Sequence, residues 1–258
     1  MSISADPRAD GAAPLQHDVP DNDISAGGAW LRPNPSGREL ANLSDATGEW
    51  VFPSGDELFR GIYTRAGTGF AAEVLAVCSA LAGEGKTTVG VGLAVTIAQD
   101  FPDRRVLLVE TDLRRPVLAE DFGIDSSPGL LDCLVNREPL LSACRPTFLE
   151  NLHILPAGES ESIPGRPLRS SHMAAIVDTM RQSYDVVILD LPAILANSDA
   201  ILLTDLADGV ICVVRAGITP MGLLNRAVEH IEPGKMRGLV INGSDSAIPG
   251  WLRRLAGI

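Results

Sequence analysis

The chain has 258 residues, 45% hydrophobic and 21% charged, with a formal net charge of −12. That length suits one α/β domain plus a tail, with material for a large core. The acidic balance argues against non-specific nucleic-acid binding, because phosphates are repelled.

No apolar stretch approaches the roughly 20 residues that span a bilayer. The first ten residues lack a basic start followed by an apolar run. A cytoplasmic protein without a transmembrane segment is therefore expected, any membrane link coming through a partner. Cys78, Cys133, Cys144 and Cys212 are widely spaced and form no C-x-x-C pair. They read as reduced, buried thiols rather than metal ligands.

In chain order, residues 1–55 have the composition of a disordered leader, rich in Pro, Gly, Ser, Asp and Asn. Residues 56–63 read as a short helix with Leu58, Phe59 and Ile62 on one face. Residues 74–78 are a continuous apolar run, as in a buried parallel strand. A Gly-rich turn and a helix over 86–99 follow. Strands are expected at 105–110, 152–155, 185–190, 209–215 and 237–242. Helices are expected at 173–182, 194–205 and 220–231, with a loop at 160–167. The alternation predicts an α/β fold, a mostly parallel sheet flanked by helices, over residues 56–248. Residues 249–258 form a tail whose Trp251, Leu252, Leu255 and Ile258 suit a short terminal helix packed on the core or, flanked by Arg253 and Arg254, a membrane-contacting face.

The segment Ser79-Ala80-Leu81-Ala82-Gly83-Glu84-Gly85-Lys86-Thr87-Thr88 joins a buried strand to a helix. That is the setting of a phosphate loop. Gly83, Glu84, Gly85, Lys86, Thr87 and Thr88 are the candidate ATP-binding residues. Glycines let backbone N–H groups close on phosphate oxygens, and the helix adds its positive end. Lys86 reaches the β- and γ-phosphates, and the Thr87 hydroxyl ligates Mg²⁺. The general pattern wants Gly where Ala80 stands, so the match is degenerate.

Two further strands end in carboxylates: Val106-Leu107-Leu108-Val109-Glu110-Thr111-Asp112 and Asp185-Val186-Val187-Ile188-Leu189-Asp190. In a parallel sheet these tips meet the phosphate loop at one edge. Asp190 is expected to hold a metal-bound water. Asp112 is expected to bind the metal's shell or orient the attacking group. Lys86, Glu110, Asp112 and Asp190 are the candidate catalytic residues, and Thr87, Asp112 and Asp190 the candidate metal ligands.

From about Glu57 to Asn242 the sequence resembles the cytoplasmic ATPase domain of the bacterial tyrosine kinases of capsular and exopolysaccharide assembly. That family's loop carries Ser-Ala before Pro-Gly-Glu-Gly-Lys, which accounts for Ala80, with Ala82 here for Pro. Its second motif, Asp-x-Asp-Leu-Arg-x-Pro, corresponds to Glu110-Thr111-Asp112-Leu113-Arg114-Arg115-Pro116, with Glu110 for the first Asp. Its third, Asp-x-Pro-Pro, corresponds to Asp190-Leu191-Pro192-Ala193. The resemblance implies a P-loop NTPase with deviant Walker motifs, using ATP and Mg²⁺. It also implies a membrane-embedded polysaccharide chain-length or export adaptor as partner, a homo-oligomer, and a place at the inner face of the cell membrane through that adaptor. It further implies that Asn242, ending its strand, contacts the adenine.

Three departures bear on function. The family's C-terminal tyrosine cluster has no counterpart, since the two tyrosines are Tyr63 and Tyr184. In the family's ring-assembly helix, Glu57 and Arg60 match but Tyr63 replaces the second Arg. Glu110 is one methylene longer than Asp. The expected function is an ATP-hydrolysing or phosphotransferring regulator of polysaccharide assembly. Glu110 or Asp112 would orient either water or a tyrosine hydroxyl on another protein. The alternative is a nucleotide switch of the partition or division-site-positioning type, binding a partner or membrane surface. Those ATPases carry a further Lys where Leu81 stands here.

Overall fold

The computed structural model describes residues 56–67, 73–159 and 167–243. The expected leader over 1–55, the expected loop over 160–167 except Pro167, and the expected tail over 249–258 lie outside the described residues.

The elements run α1 (Asp56–Ala66), β1 (Glu73–Ser79), α2 (Lys86–Asp100), β2 (Val106–Glu110), α3 (Leu118–Phe122), α4 (Leu130–Val135), α5 (Leu140–Ala143), β3 (Arg145–Pro146) and β4 (Leu152–Leu155). A 3₁₀ turn over Pro167–Arg169 follows, then α6 (Ser171–Ser183), β5 (Val186–Asp190), α7 (Ser198–Leu206), β6 (Gly209–Arg215), α8 (Met221–Val228) and β7 (Met236–Asn242). No helix among the described residues is long and apolar enough to cross a membrane.

The seven strands form one sheet in the order β3-β4-β2-β5-β1-β6-β7. All pairings are parallel except that of the two-residue β3 with β4. The central strands are buried on both faces, which is why they read as unbroken apolar runs. Alternate side chains feed two cores. Val74, Ala76 and Cys78 of β1 join the layer built with α4 to α8. Leu75 and Val77 join the layer built with α1 and α2. The chain leaves β1 for β2 on one side, and β6 lies on the other. The loop after β1 therefore sits at the point where strand order reverses, where open α/β sheets bind ligands.

Helix α1 docks on α2 through Phe59, Tyr63 and Ala66, spaced at helical intervals and buried, whereas Leu58 is exposed. The expected apolar face is thus rotated away from Leu58. The Phe59 ring lies directly over Gly92, where a β-carbon would sit only 2.1 Å from it, so only glycine permits this approach. Polar contacts close the same seam. Arg60 donates twice to Asp100, at 2.7 Å each, and the Tyr63 hydroxyl donates to it at 2.8 Å. Tyr63, at the place of the family's second Arg, thus serves an internal contact.

Three short helices, α3 to α5, were not expected. Helix α7 begins at Ser198 rather than at 194, because Asn197 caps it by accepting the Asp199 N–H at 3.0 Å. All four cysteines are buried free thiols.

Candidate functional site

Parallel pairing brings the strand ends to one edge. Glu110 lies beside Asp190, and Asp190 beside Val77 of β1. The segment after β5 is fastened to the loop after β1. The Leu191 N–H donates to the Val77 carbonyl and the Ile194 N–H to the Ser79 carbonyl, both at 2.9 Å. Within the loop, the Ser79 hydroxyl donates to the Leu81 carbonyl at 2.7 Å.

Gly85 precedes helix α2 with φ of 92°, left-handed backbone that glycine adopts without strain. A β-carbon there would also lie 2.1 Å from Nδ2 of Asn242. The turn delivers Lys86 and Thr87 to the first turn of a 15-residue helix, whose leading N–H groups and positive end face the strand tips. Asn242, at the end of β7, donates from Nδ2 to the Glu84 carbonyl at 3.0 Å. Gly83 is exposed and Thr88 half-buried.

Lys86 Nζ stands 3.3 Å from Asp112 Oδ2 and 3.6 Å from Asp190 Oδ1. The Thr87 hydroxyl donates to Asp190 Oδ2 at 2.6 Å. Asp190 is 1% exposed, and burial pushes its carboxyl pKa up while Lys86 and Thr87 pull it down. Its Oδ1 is buried without a hydrogen-bond partner. A buried carboxylate oxygen, 3.6 Å from the Lys86 ammonium and beside a threonine hydroxyl and a second carboxylate, belongs to a fitting set for Mg²⁺, a hard cation that takes oxygen ligands and keeps several waters. Lys86, Thr87, Asp112 and Asp190, named separately from three segments, thus meet at one point.

Glu110 is employed differently from the expectation that it orients an attacking oxygen. Its Oε1 accepts the N–H groups of Val117 and Leu118 (the latter at 2.9 Å), and its Oε2 accepts that of Ala157 at 3.2 Å. The methylene that distinguishes it from Asp carries its carboxylate to the start of α3. Burial raises its pKa against the lowering effect of those amides. Asp121 nearby is raised to about 6, first by burial and then by Glu110. Arg114 and Arg115 are exposed.

Sequence reasoning missed two supporting residues. Buried Thr111 donates from its hydroxyl to the Asp190 carbonyl at 2.7 Å, fixing that strand end. Thr219, between β6 and α8, donates to Glu84 Oε1. Thr111 stands between two candidate carboxylates, and that position is its one sequence signal. Thr219 stands before Pro220 and reads only as a turn residue. Leu81 packs against the core beneath the loop, so no cation is presented where the partition-type ATPases carry their additional Lys.

The family model described as an AAA domain matches residues 72–233. The chain is 32% identical over 169 residues to the tyrosine-protein kinase YwqD of Bacillus subtilis (strain 168), covering 65% of this chain and 70% of that protein. It is 31% identical over 183 residues to the succinoglycan biosynthesis transport protein ExoP of Rhizobium meliloti (strain 1021), covering 69% of this chain but 23% of that one. Several other relatives are similarly long, and the chain spans 22–23% of the Acinetobacter johnsonii and Ralstonia kinases it matches. Among solved structures, the VpsO kinase domain superposes with a TM-score of 0.64 at 29% identity, covering 80% of this chain and 95% of that one. The septum site-determining protein MinD of Pyrococcus horikoshii OT3, complexed with Mg-ADP, superposes with a TM-score of 0.50 at 26% identity, over 66% of this chain and 67% of that one. On this match, and on a phosphate loop facing two acidic strand ends, the chain belongs to the family of bacterial tyrosine-protein kinases built on the P-loop ATPase fold.

Proposed function

We propose that this chain is a Mg-ATP-dependent phosphotransferase or ATP hydrolase that regulates exopolysaccharide assembly beside a membrane-embedded adaptor. The observation that carries the chemistry is the meeting of Lys86, Thr87, Asp112 and Asp190 at the start of α2. The polysaccharide context is supported by ExoP, whose name states succinoglycan biosynthesis transport. The adaptor and a peripheral position at the membrane's inner face are carried from the family resemblance.

In this reading the loop amides from Gly83 to Thr88 hold the phosphates of ATP. Lys86 turns from its two carboxylates to the transferring phosphoryl group and stabilises the charge that develops there. Asp112, half-buried beside Lys86, orients the attacking oxygen, the task that Glu110 is not placed to perform. Thr87 and Asp190 would hold the metal, which when bound would neutralise charge on the β- and γ-phosphates. Asn242 contacts the adenine in this reading, a role carried from the family resemblance.

The acceptor is water or a tyrosine of another protein. The chain's own tyrosines are 8% and 5% exposed, with the Tyr63 hydroxyl engaged by Asp100 and the Tyr184 phenol pKa raised by burial. Incubation with radiolabelled ATP, alone and with cell membranes, followed by phosphoamino-acid analysis, tests this. Free phosphate, or phosphotyrosine on a membrane protein, is expected. Label on Tyr63 or Tyr184, or no consumption of ATP in either mixture, would contradict the assignment.

A further inference from the structure

The phosphate loop carries an acidic side chain, Glu84, in a segment whose task in the proposed function is to receive anions. It is 2% exposed, and both of its carboxylate oxygens are occupied. Oε2 accepts the Leu81 N–H at 2.7 Å, within the loop. Oε1 accepts the hydroxyl of Thr219, 135 positions away. The Thr219 oxygen in turn accepts the Arg215 N–H at 3.0 Å. With that acceptor position filled by a backbone donor, the one hydroxyl proton points to Glu84.

The turn that presents Thr219 is itself held. The Thr219 N–H donates to the Arg215 carbonyl at 3.0 Å, and the Ala216 N–H donates to the Asn242 carbonyl at 2.8 Å. Asn242 returns to the loop through its bond to the Glu84 carbonyl. Glu84 is thus tied by its side chain to the end of β6 and by its backbone to the end of β7.

We infer that Thr219 is a positioning residue for nucleotide binding, a latch that keeps the Glu84 charge off the phosphate seat. This deepens the Mg-ATP reading and rests on it. Without the hydroxyl, the buried carboxylate keeps only the Leu81 N–H, its Oε1 loses its donor, and it gains reason to rotate toward solvent and the loop's open face. There it repels the phosphates that the amides and Lys86 attract.

The test is calorimetric titration of Mg-ATP into four forms of the full chain, with thermal unfolding of each. Thr219→Val, which lacks the hydroxyl, weakens affinity by about tenfold, as expected for a lost bond to a charged group. Thr219→Ser, which keeps it, stays within about twofold of wild type. The double variant Thr219→Val with Glu84→Gln regains most of the loss, because no charge remains to be held back. A merely structural role predicts otherwise: affinity falling in step with the unfolding temperature and no recovery in the double variant. Either that pattern or unchanged affinity in Thr219→Val overturns the latch. Wild type that binds while Thr219→Val binds equally sinks only the latch; wild type that takes up no Mg-ATP sinks the nucleotide reading and the latch together.

Discussion

Replacing Lys86 with alanine is expected to lower ATP turnover by about 10²–10³-fold, the usual cost of removing one preorganised charge-stabilising donor. The ammonium sits between Asp112 and Asp190, at 3.3 and 3.6 Å, with its side chain 12% exposed. In the proposed function it has two states to serve, pairing with carboxylates before nucleotide arrives and with phosphate afterwards. Its loss also has a pH signature. Asp190 already titrates above the ordinary carboxylate range through burial, and Lys86 is the largest influence pulling it back. In the variant its folded-state pKa rises further above the unfolded value. The folded state then holds a proton that the unfolded state has released. Stability is retained at low pH and lost as pH rises from the unfolded value through the folded one. Thermal unfolding at pH 4 and pH 8 should show Lys86→Ala close to wild type at the lower pH and less stable at the higher. An equal penalty at both would contradict the coupling.

Glu110 and Asp112, two residues apart, are expected to fail in opposite ways. Glu110 accepts three backbone N–H groups from α3 and from Ala157. Truncation to alanine leaves buried donors without partners, each costing about 1–3 kcal/mol. Some amides recover water, so a total near 3 kcal/mol is expected. For a domain of this size that is a fall of roughly 6–12 °C in unfolding temperature. Asp112→Ala removes a carboxylate that pairs with Lys86. It should cost less than about 1 kcal/mol of stability, as for partly solvated pairs, yet lower turnover by about 10²-fold. Denaturant unfolding and ATP turnover on both variants separate the cases. A Glu110 variant that keeps its stability but loses turnover would restore Glu110 to the chemistry and remove Asp112 from it.

Much of this site was legible because its parts are local. Lys86 and Thr87 follow a buried apolar run, and Asp112 and Asp190 each end one. A parallel sheet then forces such tips to a common edge. The strands β1, β2, β4, β5 and β6 were read within a residue or so for the same reason: burial on both faces leaves unbroken apolar sequence. Helices α3, α4 and α5, of five, six and four residues, span too little sequence to show a helical period. Strand β3 is two residues long, one of them Pro146. Leu58 looked like a core residue because a single helical face can be drawn through it, and only the seat of Phe59 on Gly92 settles the rotation. Glu110 shows where position alone says too little. Its position matches a family carboxylate, but the length of its side chain sends that carboxylate to a different set of amides. The Thr219–Glu84 contact joins residues 135 apart, and no local pattern announces it.

The central claim is that a nucleotide triphosphate and its metal are gripped where the start of α2 meets the ends of β2 and β5. Calorimetric titration of ATP into the wild-type chain, with and without Mg²⁺, tests it most directly. One nucleotide per chain, taken up tightly only when Mg²⁺ is present and lost in Asp190→Ala, is the predicted result. No uptake by the folded wild-type chain, or uptake that Asp190→Ala leaves unchanged, would contradict it.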